Sequence, residues 1–267
     1  MSRTTPLDTA ESFRKGLITQ LQPRMLFAVA IPFVVGLLSI IVLLMYAWDP
    51  LDTWFYSSAA EWAWFQKVQA SLGGWGFSTM SGWIAWLLSL IALTAIGGVI
   101  GLAAAAIVVT PLAVKYISKN YFPNLERRGE NANTVSIINA VKVSSIFIIG
   151  WLITLPLWFI PFMSIALSLF WGAYAFSHMC QVDAIVEHAT AEERKYILSR
   201  NKKGFWTIGL VCAALTLIPF MGLVMPVFSI IVCTHYGLNS LQQLRAERAN
   251  GGVTTRLPQN GNNAHLS

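Results

Sequence analysis

Four apolar stretches without Asp, Glu, Lys or Arg alternate with polar segments along the chain. A helix rises about 1.5 Å per residue and the hydrocarbon core of a bilayer is about 30 Å thick, so about 20 apolar residues suffice for one crossing. The first two stretches contain 24 and 32 residues and predict two long transmembrane helices. The four stretches are residues 25–48, 83–114, 143–182 and 205–238.

The last stretch is interrupted by Pro219 and Pro226, which leave outer limbs of 14 and 12 residues. Proline lacks an N–H and clashes with the carbonyl four residues before it, so each proline is expected to break or begin a helix. The first limb would be about 21 Å long, which is too short for a comfortable crossing. Residues 205–238 therefore predict a re-entrant hairpin that returns to the side it came from.

Residues 143–182 show a similar pattern, with Pro156 and Pro161 near the middle. In both stretches a glycine lies 11 residues after the second proline, at Gly172 and Gly237, which suggests a weak internal repeat. The pattern predicts a second proline-broken hairpin. Its 40 residues are also just enough for two full spans, so the re-entrant and spanning alternatives both stay open.

The remaining segments complete an all-α integral membrane protein. Residues 1–24 are polar and predict an amphipathic helix on the cytoplasmic membrane surface, and residues 25–244 are expected to form one membrane domain. Residues 49–82 contain several tryptophans, which favour the membrane interface. From residue 245 to 267 the chain becomes rich in Gly, Asn and Thr, which predicts a disordered cytoplasmic tail.

Composition agrees with a membrane protein, since 55% of the residues are hydrophobic and 11% are charged. Of the 18 Lys and Arg residues, only Lys67 lies between the two predicted crossings. Basic residues collect on the cytoplasmic side of membrane proteins, so both termini are expected there. This bias also explains the net charge of +6 without a nucleic-acid partner.

Sequence motifs of catalysis or cofactor binding are missing: there is no phosphate loop, His-Glu-x-x-His or G-x-S-x-G motif. The chain is therefore not expected to be an enzyme or to hold a cofactor. His178 with Cys180, and Cys233 with His235, are two residues apart, so on a helix they point to different faces. No metal site is expected from them.

The glycines of the second apolar stretch, Gly97, Gly98 and Gly101, are followed by a run of alanines. Small residues four apart allow helix backbones to approach closely, so helix packing is the expected role of this segment.

The hairpin turns are the candidate functional site. If Pro161 and Pro226 occupy the first position of the returning helices, each helix begins inside the membrane with unpaired N–H groups, and such ends hold anions in transporters. The alternative is that the hairpins only pack the bundle and that the basic residues only set topology. The anion-binding candidates near these turns and at the cytoplasmic end of the first span are Arg24, Thr154, Ser164, Thr216, Gly222 and Ser229.

Two regions resemble the sulfate permease family of the CysZ type, which is related to the eukaryotic etoposide-induced membrane proteins. The N-terminal region carries Ser12-Phe13 through Gly16, Leu21-Gln22-Pro23 and Pro32. The C-terminal region carries Arg200 through Lys203-Gly204-Phe205, Ile218-Pro219-Phe220 and Met225-Pro226-Val227. The resemblance covers about 230 residues and rests on the order and spacing of these motifs.

The resemblance implies an oligomer in the bacterial inner membrane, with two transmembrane helices and two hemi-penetrating hairpins, that brings sulfate into the cell. The family carries a glycine and one or two arginines after the proline that matches Pro23, whereas here Arg24 follows directly. Trp206 likewise replaces a glycine of the family. The sequence thus favours a permease for sulfate or another small anion that runs without ATP. The second hypothesis is a non-transporting membrane scaffold that binds partners or lipid.

Overall fold

The computed structural model describes residues 6–61, 66–67, 80–218 and 221–251, and within these ranges the regular structure is helical, without strands. Four of the described helices are long and apolar enough to cross a membrane. The all-α membrane fold is therefore confirmed. The chain divides into two compact units, Leu21–Leu112 and the combination of Met1–Gln20 with Ala113–Ser267, where one membrane domain over residues 25–244 was predicted.

The unit Leu21–Leu112 is built on α2 (Pro23–Tyr46), α3 (Trp48–Glu61) and α4 (Met80–Ala104). Pro23 opens α2, where a missing N–H costs nothing. Helix α3 packs on α4 and accounts for the first part of the predicted interfacial segment. Residues 62–65 and 68–79 of that segment lie outside the described residues.

Helices α2 and α4 make a close contact through small residues. A Cβ at Gly101 would lie 2.7 Å from the Pro32 carbonyl oxygen and 3.0 Å from the Gly36 Cα, and a Cβ at Gly97 would overlap Ile40. Gly98 faces open space. The predicted packing role is confirmed for Gly97 and Gly101, because only glycine lets the two backbones come this close.

The predicted span 83–114 continues further than expected. After α4 the chain forms a π-helical segment, Ala105–Val109, and then α5 (Thr110–Tyr121). Pro111 lies at the start of α5 and has no N–H to donate to the carbonyl of Ile107, which favours a local change of helical pitch.

The second unit contains α1 (Pro6–Gln20), α5 from Ala113 onward, α6 (Ala132–Thr154), α7 (Met163–Asp183), α8 (Ala191–Arg200), α9 (Lys202–Leu215) and α10 (Met221–Ala249). Helix α10 is its centre, with Ile231, Cys233 and Tyr236 almost completely buried. Helices α1, α7 and α9 all pack against α10.

Helix α1 buries hydroxyl-bearing residues against the unit, whereas its charged residues Glu11 and Arg14 are exposed. Thr9, Ser12 and Thr19 are buried, whereas Leu17 and Ile18 are half exposed. Leu17 and Ile18 therefore point away from the unit, as expected of a helix that also meets lipid, whereas Phe13 packs on Phe228 of α10.

The first hairpin consists of α6, a 3₁₀ turn over Leu155–Phe159, and α7. Helix α6 begins at Ala132, before the predicted boundary at residue 143, because Lys142 is an exposed residue within the helix rather than its limit. The limbs contain 23 and 21 residues, about 34 and 31 Å, so each is long enough to cross the hydrocarbon core.

The second hairpin is asymmetric. Helix α9 has 14 residues, about 21 Å, whereas α10 has 29 residues, about 43 Å. The outgoing limb is thus as short as the sequence predicted, and the returning limb is much longer, because it extends into the polar region beyond residue 238.

The predicted positions of the two helix-starting prolines are wrong. Pro161 lies in the turn before α7, whose N-cap is Phe162 with φ 66°, and Pro226 lies inside α10. Because Pro226 has no N–H, the Gly222 carbonyl loses its hydrogen-bond donor. The helix tolerates this loss because Gly222 lies in its first turn. Pro156 lies at the start of the 3₁₀ turn, as a hairpin-forming residue would, and Pro219 lies outside the described residues.

The predicted tail also begins too early. Helix α10 continues to Ala249, because Leu241 and Leu244 are spaced on one helical face and are both buried. Residues 252–267 lie outside the described residues, as do residues 1–5.

The α2–α4 contact can be tested with a matched pair of substitutions. Gly101→Ala should destabilise the protein by about 1–3 kcal/mol, because the added methyl group overlaps the α2 backbone. Gly98→Ala, in the same helix and facing open space, should not destabilise it. The apparent unfolding temperature in detergent measures both, and equal shifts would contradict the contact.

Candidate functional site

The six anion-binding candidates fall in both units. Arg24 is exposed in the first turn of α2, in the unit Leu21–Leu112. Thr154, Ser164, Thr216, Gly222 and Ser229 all lie in the other unit, at or near the hairpin turns. These five residues therefore belong to one unit, whereas Arg24 belongs to the other and is described by itself.

Three of the four candidate hydroxyl groups already donate to nearby carbonyl oxygens. Thr154 lies 2.9 Å from the Gly150 carbonyl, Thr216 lies 2.6 Å from that of Ala213, and Ser229 lies 2.9 Å from that of Pro226. A hydroxyl has one proton to donate, so each would have to break its bond in order to donate to an anion. Ser164 is half-buried, and Gly222 faces open space.

A tryptophan in the first hairpin turn offers a donor that sequence reasoning missed. The Trp158 Nε1 atom is buried and has no acceptor among the described residues. The neighbouring Trp171 indole, by contrast, donates to the Thr154 hydroxyl over 3.1 Å. A buried indole N–H normally has an acceptor. The Trp158 N–H is therefore the group in this turn best able to donate a hydrogen bond to a ligand.

The basic residues that follow the hairpins belong to a structured part of the second unit. We call it the charged head; it consists of α5, residues 122–131, residues 184–190, α8 and the last turns of α10. The carbonyl oxygens of Glu187 and His188 accept from the N–H groups of Gly129 and Arg128, at 3.1 and 3.2 Å. A side chain at Gly129 would overlap this backbone, so the position requires glycine.

Arg245 holds the charged head together. Its guanidinium donates to both carboxylate oxygens of Glu193, at 2.9 and 3.0 Å, and to the carbonyl oxygens of Glu126 (2.9 Å) and His188 (2.7 Å). The Glu193 side chain is 3% exposed and that of Arg245 is 16% exposed. This residue lies in the segment for which disorder was predicted.

Glu193 also starts α8 through a capping box, in which Thr190 and Glu193 each accept from the backbone N–H of the other. Burial alone would raise the pKa of Glu193. The hydrogen bonds from Arg245 and from the Thr190 N–H outweigh burial and hold this pKa below its ordinary value of 4.5. The carboxylate is therefore ionised wherever the head is folded at neutral pH.

A cleft of about 420 Å³ opens on the charged head, and we call it the basic cleft. Helix α5 contributes Lys115 and Lys119, the connector contributes Arg127, and His188 also lines the cleft. Burial, reinforced by the charges of Arg127 and Arg245, lowers the pKa of His188 to about 4, so its imidazole is neutral at pH 7.

Three of the four residues considered as metal ligands contact other groups, and the fourth, Cys233, is buried. His178 stacks on Tyr174 at 4.4 Å between ring centroids, and His235 lies 3.0 Å from the Thr19 hydroxyl. Cys180 lies 3.2 Å from the Ser229 hydroxyl. Among the described residues no group of three or more His, Cys, Asp and Glu side chains is arranged to hold a metal.

The motif Lys203-Gly204-Phe205-Trp206 serves packing between helices. A Cβ at Gly204 would overlap the Tyr236 hydroxyl, and Phe205 meets the Tyr236 ring edge-on at 5.0 Å. Trp206 contacts Phe170 at 6.0 Å between centroids. The glycine is therefore fixed by Tyr236 on α10, and the tryptophan fills space beside α7.

A protein-family model described as "Sulfate transporter CysZ/Etoposide-induced protein 2.4" matches residues 12–226 of the chain. The matched region includes α1 from Ser12 onward, both predicted crossings, the first hairpin and the turn of the second. No curated protein and no solved structure matches the chain.

The role of Arg245 leads to a prediction. Arg245→Gln should lower stability by about 3 kcal/mol, because it leaves the buried Glu193 carboxylate without its counter-charge. Lys195→Gln, which removes an exposed charge from the same helix as Glu193, should have little effect. Thermal unfolding in detergent measures the difference, and equal stabilities of the two variants would contradict the assignment.

The same pair of residues sets a pH dependence. Because the pKa of Glu193 is lower in the folded protein, its stabilisation is complete above pH 4.5 and is lost as the pH falls through the folded pKa. The free energy of unfolding should therefore decrease below pH 4.5 in the wild-type protein, and by a smaller amount in Arg245→Gln.

Proposed function

Because the chain belongs to the family of the sulfate transporter CysZ and the etoposide-induced protein 2.4, we propose that it is a permease for sulfate or another small anion. It would act without ATP, across the bacterial inner membrane. The family match over residues 12–226 is the observation that carries this proposal, since it extends over both proline-interrupted turns.

The anion would bind at the hairpin turns. The helix dipole of α7 begins directly after the first turn, and Trp158 supplies an indole N–H there. Thr154, Ser164, Thr216, Gly222 and Ser229 would line the path, and Arg24 would attract anions at the cytoplasmic surface. At Gly222 the anion could approach the backbone directly, because nothing lies within 4 Å of the position that a Cβ atom would take.

The proposed orientation places both termini in the cytoplasm, with α3 on the periplasmic side and the charged head on the cytoplasmic side. The basic residues of the head support this orientation. In line with the family resemblance, the functional form would be a homo-oligomer.

A scaffold that binds lipid or protein partners is the second candidate. It is favoured by the closed hydrogen bonds of Thr154, Thr216 and Ser229, which leave three hydroxyl protons unavailable to a passing anion. The two candidates differ in whether the protein moves anions.

Uptake of radiolabelled sulfate into a bacterial strain without its own sulfate permeases tests the proposal. The wild-type chain should give uptake above empty vector, and Arg24→Gln should reduce it by about threefold, because a cytoplasmic attraction for the anion is lost. Lys195→Gln serves as the control for a lost surface charge. Uptake equal to empty vector, with the protein present in the membrane, would favour the scaffold.

The re-entrant turn of the second hairpin is tested with single cysteines and a membrane-impermeant thiol reagent applied from the periplasm. The three native cysteines are buried, so background labelling should be low. Ser57→Cys on α3 should react, whereas Gly222→Cys should be protected to the same degree as Ser199→Cys on α8. Labelling of Gly222→Cys as fast as that of Ser57→Cys would show that the limbs span fully.

A further inference from the structure

The basic cleft lies far from the hairpin turns within the same unit. Helix α7 separates the first turn from the charged head, and its 21 residues correspond to about 31 Å. A ligand bound in the basic cleft would therefore occupy a different site from an anion bound at the hairpin turns. The volume of about 420 Å³ falls in the range of small-molecule sites.

The cleft carries an excess of positive charge. Lys115 and Lys119 are spaced i and i+4 on α5, where like charges repel, and neither forms an ion pair among the described residues. Arg127 has one carboxylate partner, Glu187, at 3.5 Å, in a pair that is exposed to solvent and so worth little. None of the described residues that line the cleft has a carboxylate.

Among the residues that line the cleft, His188 supplies a fixed neutral group. His188 is 1% exposed, and its carbonyl oxygen is held by the Arg128 N–H and by the Arg245 guanidinium. Its Nδ1 atom is buried and has no partner among the described residues. The neutral imidazole thus adds no positive charge beside the three cations, and its Nδ1 atom keeps its capacity for a hydrogen bond.

An apolar surface completes the cleft. Phe122 is 7% exposed and lies next to Leu125, and both line the cavity. Low-dielectric walls strengthen the interaction between an anion and the nearby cations. They also leave room for a carbon-containing body attached to the anionic group.

From the three cations, the buried imidazole and the apolar wall, we infer that the basic cleft is a second anion site, which binds a tetrahedral oxyanion group of the phosphate or sulfate type. Lys115 and Lys119 make the principal charge contacts, Arg127 contributes a third, and His188 contributes a hydrogen bond. The group is either a free oxyanion or the phosphate of an anionic lipid headgroup, and both have this chemistry.

The test uses the purified full-length protein in nanodiscs of phosphatidylcholine, with inorganic phosphate or sodium sulfate titrated at constant ionic strength and followed by calorimetry. The double variant Lys115→Gln/Lys119→Gln should weaken binding by about five- to tenfold. Lys195→Gln/Lys202→Gln removes two exposed lysines that do not line the cleft, and should leave binding unchanged. Equal affinities in the two double variants would overturn the inference.

Two further arms separate the source of the oxyanion and confirm that folding is intact. In nanodiscs containing phosphatidylglycerol, a lipid occupant would compete and weaken the apparent phosphate affinity in the wild-type protein but not in Lys115→Gln/Lys119→Gln. A free-ion site would bind phosphate equally in both membranes. Lys115→Arg/Lys119→Arg should restore binding, and failure of this rescue together with normal thermal stability would count against a charge-based site.

Anion binding in the basic cleft and sulfate transport can succeed or fail independently of each other. If sulfate uptake equals empty vector while the cleft variants still weaken phosphate binding, the permease proposal fails and the second site stands. If uptake is normal and the cleft variants do not change binding, the reverse holds.

Discussion

The guanidinium of Arg245 is the contact on which the charged head depends. It joins the end of the central helix α10 to the capping box of α8 and to carbonyl oxygens of two separate connectors. A planar guanidinium with five N–H donors can satisfy several acceptors at once, which lysine cannot do. The same arginine fixes the backbone of His188 and therefore one wall of the basic cleft.

The membrane part of the fold follows a different rule, because its outer surface meets lipid. Large apolar side chains such as Phe27 and Phe159 are 76% and 88% exposed, whereas polar groups such as Thr19 and His235 are buried. Helix contacts therefore rely on small residues, as at Gly101, and on a few internal hydrogen bonds, as between Thr19 and His235.

Local patterns predicted much of the fold. The lengths of the apolar runs predicted the long helices. The spacing of Gly97 and Gly101 predicted close packing between helices. Proline positions were harder, because a proline can either begin a helix or lie within it when the carbonyl it opposes is in the first turn, as at Pro226.

The charged head could not be predicted from the sequence. Arg245 and its partner Glu193 are 52 residues apart, and the two walls of the basic cleft come from distant segments. A composition rich in Gly and Asn shortly after residue 248 concealed the helix that carries Arg245. Contacts of this kind have no local signal.

The docking of α1 on α10 has a consequence for how the protein is made. Helix α1 ends at Gln20 and α10 begins at Met221, yet the two pack together, through Gly16 beside Val232 and through Phe13 beside Phe228. During synthesis α1 therefore has no partner until the helices between it and α10 have been made. Assembly of this unit therefore waits for a contact between segments that are distant in the chain, and a truncation before α10 leaves α1 without its partner.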